Sequence, residues 1–117
     1  MARKHHSLEV WKKSVNLVTE IYKVTDVYPE QEIYGLTSQI RRSAISVPSN
    51  IAEGAARTGH KEFLKYLSIA RGSLSELETQ MIISKNLGYI NDNHQITHLI
   101  EEVFSLLGGL IRSLKQP

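Results

Sequence analysis

Three sets of side chains in this sequence have types and spacings that could do chemistry. The first is cationic: Arg41, Arg42, Arg57, Lys61, Lys65 and Arg71 fall in a segment whose only acids are Glu53 and Glu62. Guanidinium and ammonium groups at this density can neutralise phosphates, and a symmetric assembly would repeat a modest patch and make it multivalent. Local pairing competes with that use, because Glu53 and Arg57 are one helical turn apart and Lys61, Lys65 and Glu62 suit a solvated face. The second set is Asn50, Glu53 and Gly54, just after Pro48. Glu53 as a general base would need a His, Ser or metal held beside it, and no spacing here supplies one. Support of the local helix or an ion pair is the reading that the residues favour. The third is His94 and His98, at the i, i+4 spacing of metal ligands but without the intervening Glu or a third ligand that a zinc helix needs. A polar helix face explains them equally well. No resident metal or cofactor is expected.

The chain has 117 residues, a formal charge of +2 and no cysteine. That length suits one domain. Without cysteine there is no disulfide, thiolate metal site or cysteine nucleophile, and a cytoplasmic location is the expectation. The start, MARKHHSLEVWKK, lacks the apolar core of a leader, and no apolar run reaches the roughly 18 residues of a membrane span. Split by position, the charge is uneven. Residues 1–40 carry five basic and five acidic groups, residues 41–71 six and two, and residues 72–117 three and five, giving 0, +4 and −2. The positive charge is concentrated in the middle, which suits a polyanionic partner. Neither a glycine-rich phosphate loop nor a nucleophile elbow is present. Trp11, Tyr22, Tyr28, Tyr34, Tyr66 and Tyr89 could form a base-stacking platform, but at helical spacing such residues are more often core or interface.

The elements that must position these groups are helical. Leu8, Trp11, Val15, Val18 and Tyr22 step by three and four, predicting a first helix over 7–24 with Ser7 as N-cap and Leu17, Ile21 and Val24 as a second flank. Pro29 and the acids Glu30 and Glu32 suit the entry to a second helix over 30–57. Its seam is Ile33, Leu36, Ile40, Ala44, Val47, Ile51 and Ala55. Pro48 lies inside this helix, where it removes a bond to the Ala44 carbonyl and should produce a kink, with Ser43, Ser46, Ser49 and Asn50 near enough to satisfy freed groups. A corner at Thr58-Gly59 leads to a third helix over 59–87 (Phe63, Leu67, Ala70, Leu74, Leu77, Met81), with Gly88 as its C′ residue. A hairpin about that corner sets Ala44 opposite Gly72, Val47 opposite Ala70 and Arg41 opposite Glu76. The fourth helix, over 92–114, starts at a cap on Asn91 or Asp92 and carries the seam Ile96, Leu99, Val103, Leu106, Leu110, Leu114. Its apolar arc spans about 160° on a helical wheel, more than a core-facing stripe needs. The surplus flank, Ile100, Phe104 and Ile111, either meets another subunit or marks a helix packed centrally in its own bundle. Only Met1 to His6 and the last few residues are expected to be loose.

The blocks LEVWKKSVNLV (8–18), YGLTSQIRRSAISVPSNIAEGAAR (34–57) and EFLKYLSIARGSLSELETQ (62–80) resemble the four-helix-bundle proteins first noted as open reading frames within intervening sequences of bacterial 23S rRNA genes. The Ser-Val-Pro-Ser-Asn-Ile-Ala-Glu-Gly run is the most specific part. The resemblance implies an antiparallel bundle that assembles as a homopentameric ring. The chain is also similar to the accessory proteins of diversity-generating retroelements, basic pentameric barrels that bind nucleic acid and a reverse transcriptase, but is much less basic than they are. Residues and resemblance together lead to an all-α, antiparallel up-down-up-down four-helix bundle with its second helix kinked at Pro48. The expected protein is non-enzymatic and homo-oligomeric, with non-specific RNA or DNA binding through Arg41, Arg42, Arg57, Lys61, Lys65 and Arg71 as its candidate activity, set against local pairing and solvation of the same residues. The alternative is a structural or adaptor module that binds a protein through an apolar helix flank.

Overall fold

The computed structural model describes residues 2–116. Among them are four α-helices and no strand: α1 (Glu9–Thr25), α2 (Leu36–Ala55), α3 (His60–Asn86) and α4 (His94–Lys115). Short 3₁₀ turns at Lys4–Ser7 and Glu30–Glu32 precede α1 and α2. α1 touches α2 and α4, α3 touches α2 and α4, and neither diagonal pair meets, so the four rods enclose one core. The molecule measures 47 × 24 × 22 Å, about the length of α3 with its flanking turns.

Each rod buries a stripe. In α2 and α3 most of the expected stripe is buried, Ile40, Ala44, Val47, Ile51 and Ala55 facing Phe63, Leu67, Ala70, Leu74 and Leu77, all at most 4% exposed, whereas Leu36 and Met81 are half-buried and Thr37, Ser43, Gln80 and Ser84 are buried as well. In α1 the stripe is rotated. Val10, Ser14, Leu17, Ile21 and Thr25 are buried, whereas Val15 and Tyr22, both placed on the seam by spacing, are exposed. The two polar positions explain the shift. Ser14 Oγ donates to the Trp11 carbonyl at 2.8 Å and Thr25 Oγ1 to the Ile21 carbonyl at 2.7 Å, so both hydroxyls can lie inside without an orphaned group.

The helix ends differ from expectation in physically legible ways. Ser7 does not cap α1; its hydroxyl closes the preceding turn on the Lys4 carbonyl, and Leu8 takes the cap position. That turn is built into the structure: His5 and His6 pack against Trp11, with ring centroids 4.9 and 5.5 Å away, and the Lys4 ammonium lies over the Phe63 ring. Lys4–His6 therefore belong to the fold, not to a loose tail, while Met1 and Pro117 lie outside the described residues. α2 begins at Leu36, not residue 30, because Gly35 interrupts the chain and Glu32 Oε1 accepts from the Leu36 amide at 3.2 Å. Ile33 consequently precedes the helix and is exposed. Asn93, not Asn91 or Asp92, caps α4, its side chain accepting from Ile96 N at 3.0 Å. Gly88 is the expected C′ residue, with φ +80° and the Schellman bonds Gly88 N to Lys85 O and Tyr89 N to Ser84 O.

α2 runs unbroken through Pro48. Of the polar residues around it, two bond the backbone: Ser43 Oγ donates to the Gln39 carbonyl at 3.0 Å, and Asn50 donates from Nδ2 to the Ser46 carbonyl at 2.8 Å and to Ser46 Oγ at 2.9 Å.

Candidate nucleic-acid interface

The α2–α3 hairpin carries all six predicted cations, and its register decides where each one points. Two side-chain contacts set that register: Ser43 Oγ shares its one hydrogen between the Gln39 carbonyl at 3.0 Å and Glu76 Oε1 at 3.2 Å, and Ser46 and Ser73 share a 2.8 Å hydroxyl bond. As numbers rise along α2 they fall along α3, as in neighbours running oppositely. Arg41 therefore does not meet Glu76; that place belongs to Ser43. At the corner the helices close tightly on Gly54. A Cβ built there would lie 2.7 Å from Tyr66 Cβ and 3.0 Å from Phe63 Cδ1, whereas one on Gly72 would have nothing within 4 Å. The small residue that admits close approach is thus Gly54, while Gly72, set opposite Ala44 by the expected pairing, faces open space.

The corner fixes Arg57. Its guanidinium pairs with Glu53 Oε2 at 3.4 Å and Glu62 Oε2 at 3.8 Å, donates to Tyr66 Oη at 3.0 Å and lies over the Tyr66 ring. Glu53 accordingly acts here as an ion-pair partner. Arg41 is also engaged, turned from α3 toward α1. Nε donates to Thr25 Oγ1 at 2.9 Å, Nη2 to the Tyr22 carbonyl at 3.3 Å, and the guanidinium carbon is 4.5 Å from the centre of the Tyr22 ring. Tyr22 and Tyr66, the tyrosines that stand beside arginines, each have a ring face covered by a guanidinium.

Arg42, Lys61, Lys65 and Arg71 are exposed and make no ion pair with another described residue. Lys61 and Lys65 share one face of α3. Arg42 lies on the outer side of α2, about 24 Å along the hairpin from the level of Lys61 at 1.5 Å per residue. Arg71 is about 120° around α3 from Lys65 on a 100° wheel, toward α4. The six residues do not converge on one patch. Lys61 and Lys65 stand together near the corner, Arg42 stands apart on α2, Arg71 faces another side, and Arg41 and Arg57 are held by neighbours.

The flank of α4 proposed for an oligomer contact is also relocated. Ile100 and Ile111 are 4% and 6% exposed within the single chain, and Phe104 is half-buried against the same core. α4 is turned so that Ile100, Leu107 and Ile111 point inward while Leu106, Leu110 and Leu114 are half-buried, so this flank offers no free apolar stripe. Exposed apolar residues occur instead on α3 and its C-cap, at Ile69, Ile82, Ile83 and Leu87, and elsewhere at Val15, Tyr22, Val27, Ile33, Tyr34 and Ile45. His98 Nε2 is 3.4 Å from Glu102 Oε1, and no group of three or more metal-type ligands occurs among the described residues.

A polar groove between α2 and α3 was not singled out by spacing. Gln39, Arg42, Ser43 and Ser46 line one side and Ser73, Glu76 and Gln80 the other. The polar residues at 43, 46, 73, 76 and 80 were visible, but only the register shows that they face one another.

Elsewhere, electrostatics tie the ends of the bundle together. The Tyr89 hydroxyl donates to Glu32 Oε2 at 2.8 Å, and this bond raises the phenol above its ordinary range. Burial pushes the Tyr28 phenol up, with Ser84 beside it working the other way. Lys85 hydrogen-bonds the Asp92 carboxylate and holds it below the usual value. No described helix is long and apolar enough to cross a membrane.

No curated protein matches this chain. The family model described as 23S rRNA-intervening sequence protein matches residues 6–109, which include all four helix cores, the Pro48 segment and the corner at Gly54. The chain therefore belongs to the 23S rRNA-intervening sequence protein family.

Proposed function

We propose that this protein is a non-enzymatic, homo-oligomeric helical bundle, pentameric in its assembled form, that binds RNA or DNA without sequence preference along the α2–α3 hairpin in the cytoplasm. The observation that carries the reading is that Arg42, Lys61 and Lys65 are exposed and without an acidic partner among the described residues. Family membership supports it, since the family is described by an association with ribosomal RNA sequence. Three cations per chain give weak binding to a phosphate backbone, and a ring multiplies them. Arg41 and Arg57 support the hairpin and contribute little to this surface.

A second reading rests on the exposed apolar residues of α3. Ile69, Ile83 and Leu87 lie on the solvent side with Gly72, whose surroundings are open. They suit contact with a protein, either another copy or an adaptor partner. Fluorescence anisotropy against single- and double-stranded RNA and DNA at low salt, together with light scattering of the free protein, separates the readings. Binding that weakens steeply with salt supports the first. A stable oligomer that binds no polyanion at high micromolar concentration supports the second and removes the first.

A further inference from the structure

We propose that the groove between α2 and α3 is a binding site for a guanine base. The inference deepens the nucleic-acid reading by adding a guanine preference to binding that is otherwise indifferent to sequence, Arg42 meeting a guanine edge where one is present and a phosphate where none is; it rests on that reading for the source of the base, but not for the existence of the site. The groove has a volume of about 420 Å³, and its two walls differ chemically. On α2, Arg42 presents a guanidinium with no partner among the described residues. On α3, Glu76 presents a carboxylate of which only Oε1 is engaged, by the Ser43 hydroxyl. One turn further along α3, Gln80 lines the groove, is 7% exposed, and has an Oε1 without a hydrogen-bond partner. The floor is the Ser46–Ser73 hydroxyl pair. Ser46 Oγ already accepts from Asn50, so whichever serine donates within the pair, one hydroxyl hydrogen remains for a further acceptor.

One wall therefore accepts and the other donates. A ligand must offer adjacent N–H donors on one edge and acceptors on another. Guanine has N1–H and N2–H on its Watson–Crick edge and O6 and N7 on the neighbouring edge, the latter a preferred arginine partner. Its donor edge suits Glu76 with Gln80, and its O6/N7 edge suits Arg42. Adenine and the pyrimidines each lack the adjacent donor pair. Unpaired bases read along these edges are the usual basis of sequence preference toward single-stranded RNA. The source is either a free guanine nucleotide or a guanine in a single strand, and both present the same edges.

The test uses the full chain. Guanosine and adenosine monophosphates are titrated by NMR chemical shift, and oligouridine strands with and without one central guanosine by anisotropy. The same titrations follow on Glu76→Gln and Arg42→Gln, exposed substitutions whose folding is checked by circular dichroism. The expected result is at least about tenfold preference for guanosine over adenosine monophosphate, lost in both variants, as one bidentate base contact supports. A preference for the guanosine-containing strand as well assigns the site to strand-borne guanine; preference for the mononucleotide alone assigns it to free nucleotide. If neither oligonucleotide binds but guanosine monophosphate does, the polyanion function fails and the guanine site stands. Equal affinity for the two mononucleotides, or a preference unchanged by both substitutions, overturns the proposal.

Discussion

Substituting alanine at Gly54 and at Gly72 should change stability in opposite directions, although both glycines lie in helices of one hairpin. At Gly54 the new methyl would sit 2.7 Å from Tyr66 Cβ and 3.3 Å from the Phe63 carbonyl oxygen. Neither atom can swing away, because one is backbone and the other is bonded to it. Restoring an ordinary carbon–carbon separation needs the helices to part by roughly 1 Å at the corner. Overpacking of this kind costs about 1–3 kcal/mol, against about 1 kcal/mol gained from replacing glycine inside a helix. The net expectation is a loss of up to about 2 kcal/mol for Gly54→Ala, and a looser Arg57–Tyr66 contact with it. At Gly72 nothing stands within 4 Å of the built Cβ, so only the helix gain remains, about 0.5–1 kcal/mol. At roughly 4 °C per kcal/mol for a domain of this size, thermal melts followed by circular dichroism separate the two by several degrees. Gly54→Ala melting at or above the parent temperature would refute the close-approach argument. A destabilised Gly72→Ala would mean that some surface packs on that position.

Three further outcomes are expected. Arg41→Ala should lower stability by about 1–2 kcal/mol, through loss of its bonds to Thr25 and Tyr22 and its ring contact, and leave polyanion affinity unchanged; urea titration and anisotropy read the two effects. The Lys85–Asp92 and Tyr89–Glu32 pairs should give a pH dependence of opposite signs. Asp92 has a lowered folded pKa, so its contribution is complete above the unfolded value near 3.8 and is lost as pH falls through the folded one. Tyr89 has a raised folded pKa, so its contribution is complete below pH 10 and is lost as pH rises beyond it. Melts of Asp92→Asn and Tyr89→Phe against pH should therefore be flatter than the parent at the acid and alkaline ends respectively. Finally, Pro48 is expected to bend α2; residual dipolar couplings giving one common axis for residues 36–47 and 49–55 would contradict that.

The fold was most legible in α2 and α3, whose apolar residues from Ile40 to Leu77 are buried where spacing places them, although Thr37, Ser43, Gln80 and Ser84, buried beside them, were not foreseen. α1 was less legible, because Ser14 and Thr25 occupy interior positions by bonding their own helix, which a division into apolar and polar residues cannot register. α4 is apolar on both flanks, so its pattern establishes a helix but not its rotation. Ile100 and Ile111 turned inward as a result. The interface was less legible because it depends on register between helices. The hairpin was expected to set Ala44 opposite Gly72 and Arg41 opposite Glu76, pairs that sum to 116 and 117, but Ser43 with Glu76 and Ser46 with Ser73 each sum to 119. That small slip moves Glu76 away from Arg41 and aligns the groove. The engagement of Arg41 with α1 required the relation of two helices joined by a loop, about which one-dimensional spacing is silent.

The most direct test of the polyanion surface is the dependence of affinity on salt for the parent and for a variant with Arg42, Lys61 and Lys65 all changed to Gln. Each phosphate neutralised on a single strand contributes about 0.7 to the slope of log affinity against log salt, so removing three contacts should flatten it by about 2 and weaken binding at low salt. A slope and an affinity equal to those of the parent would contradict the account.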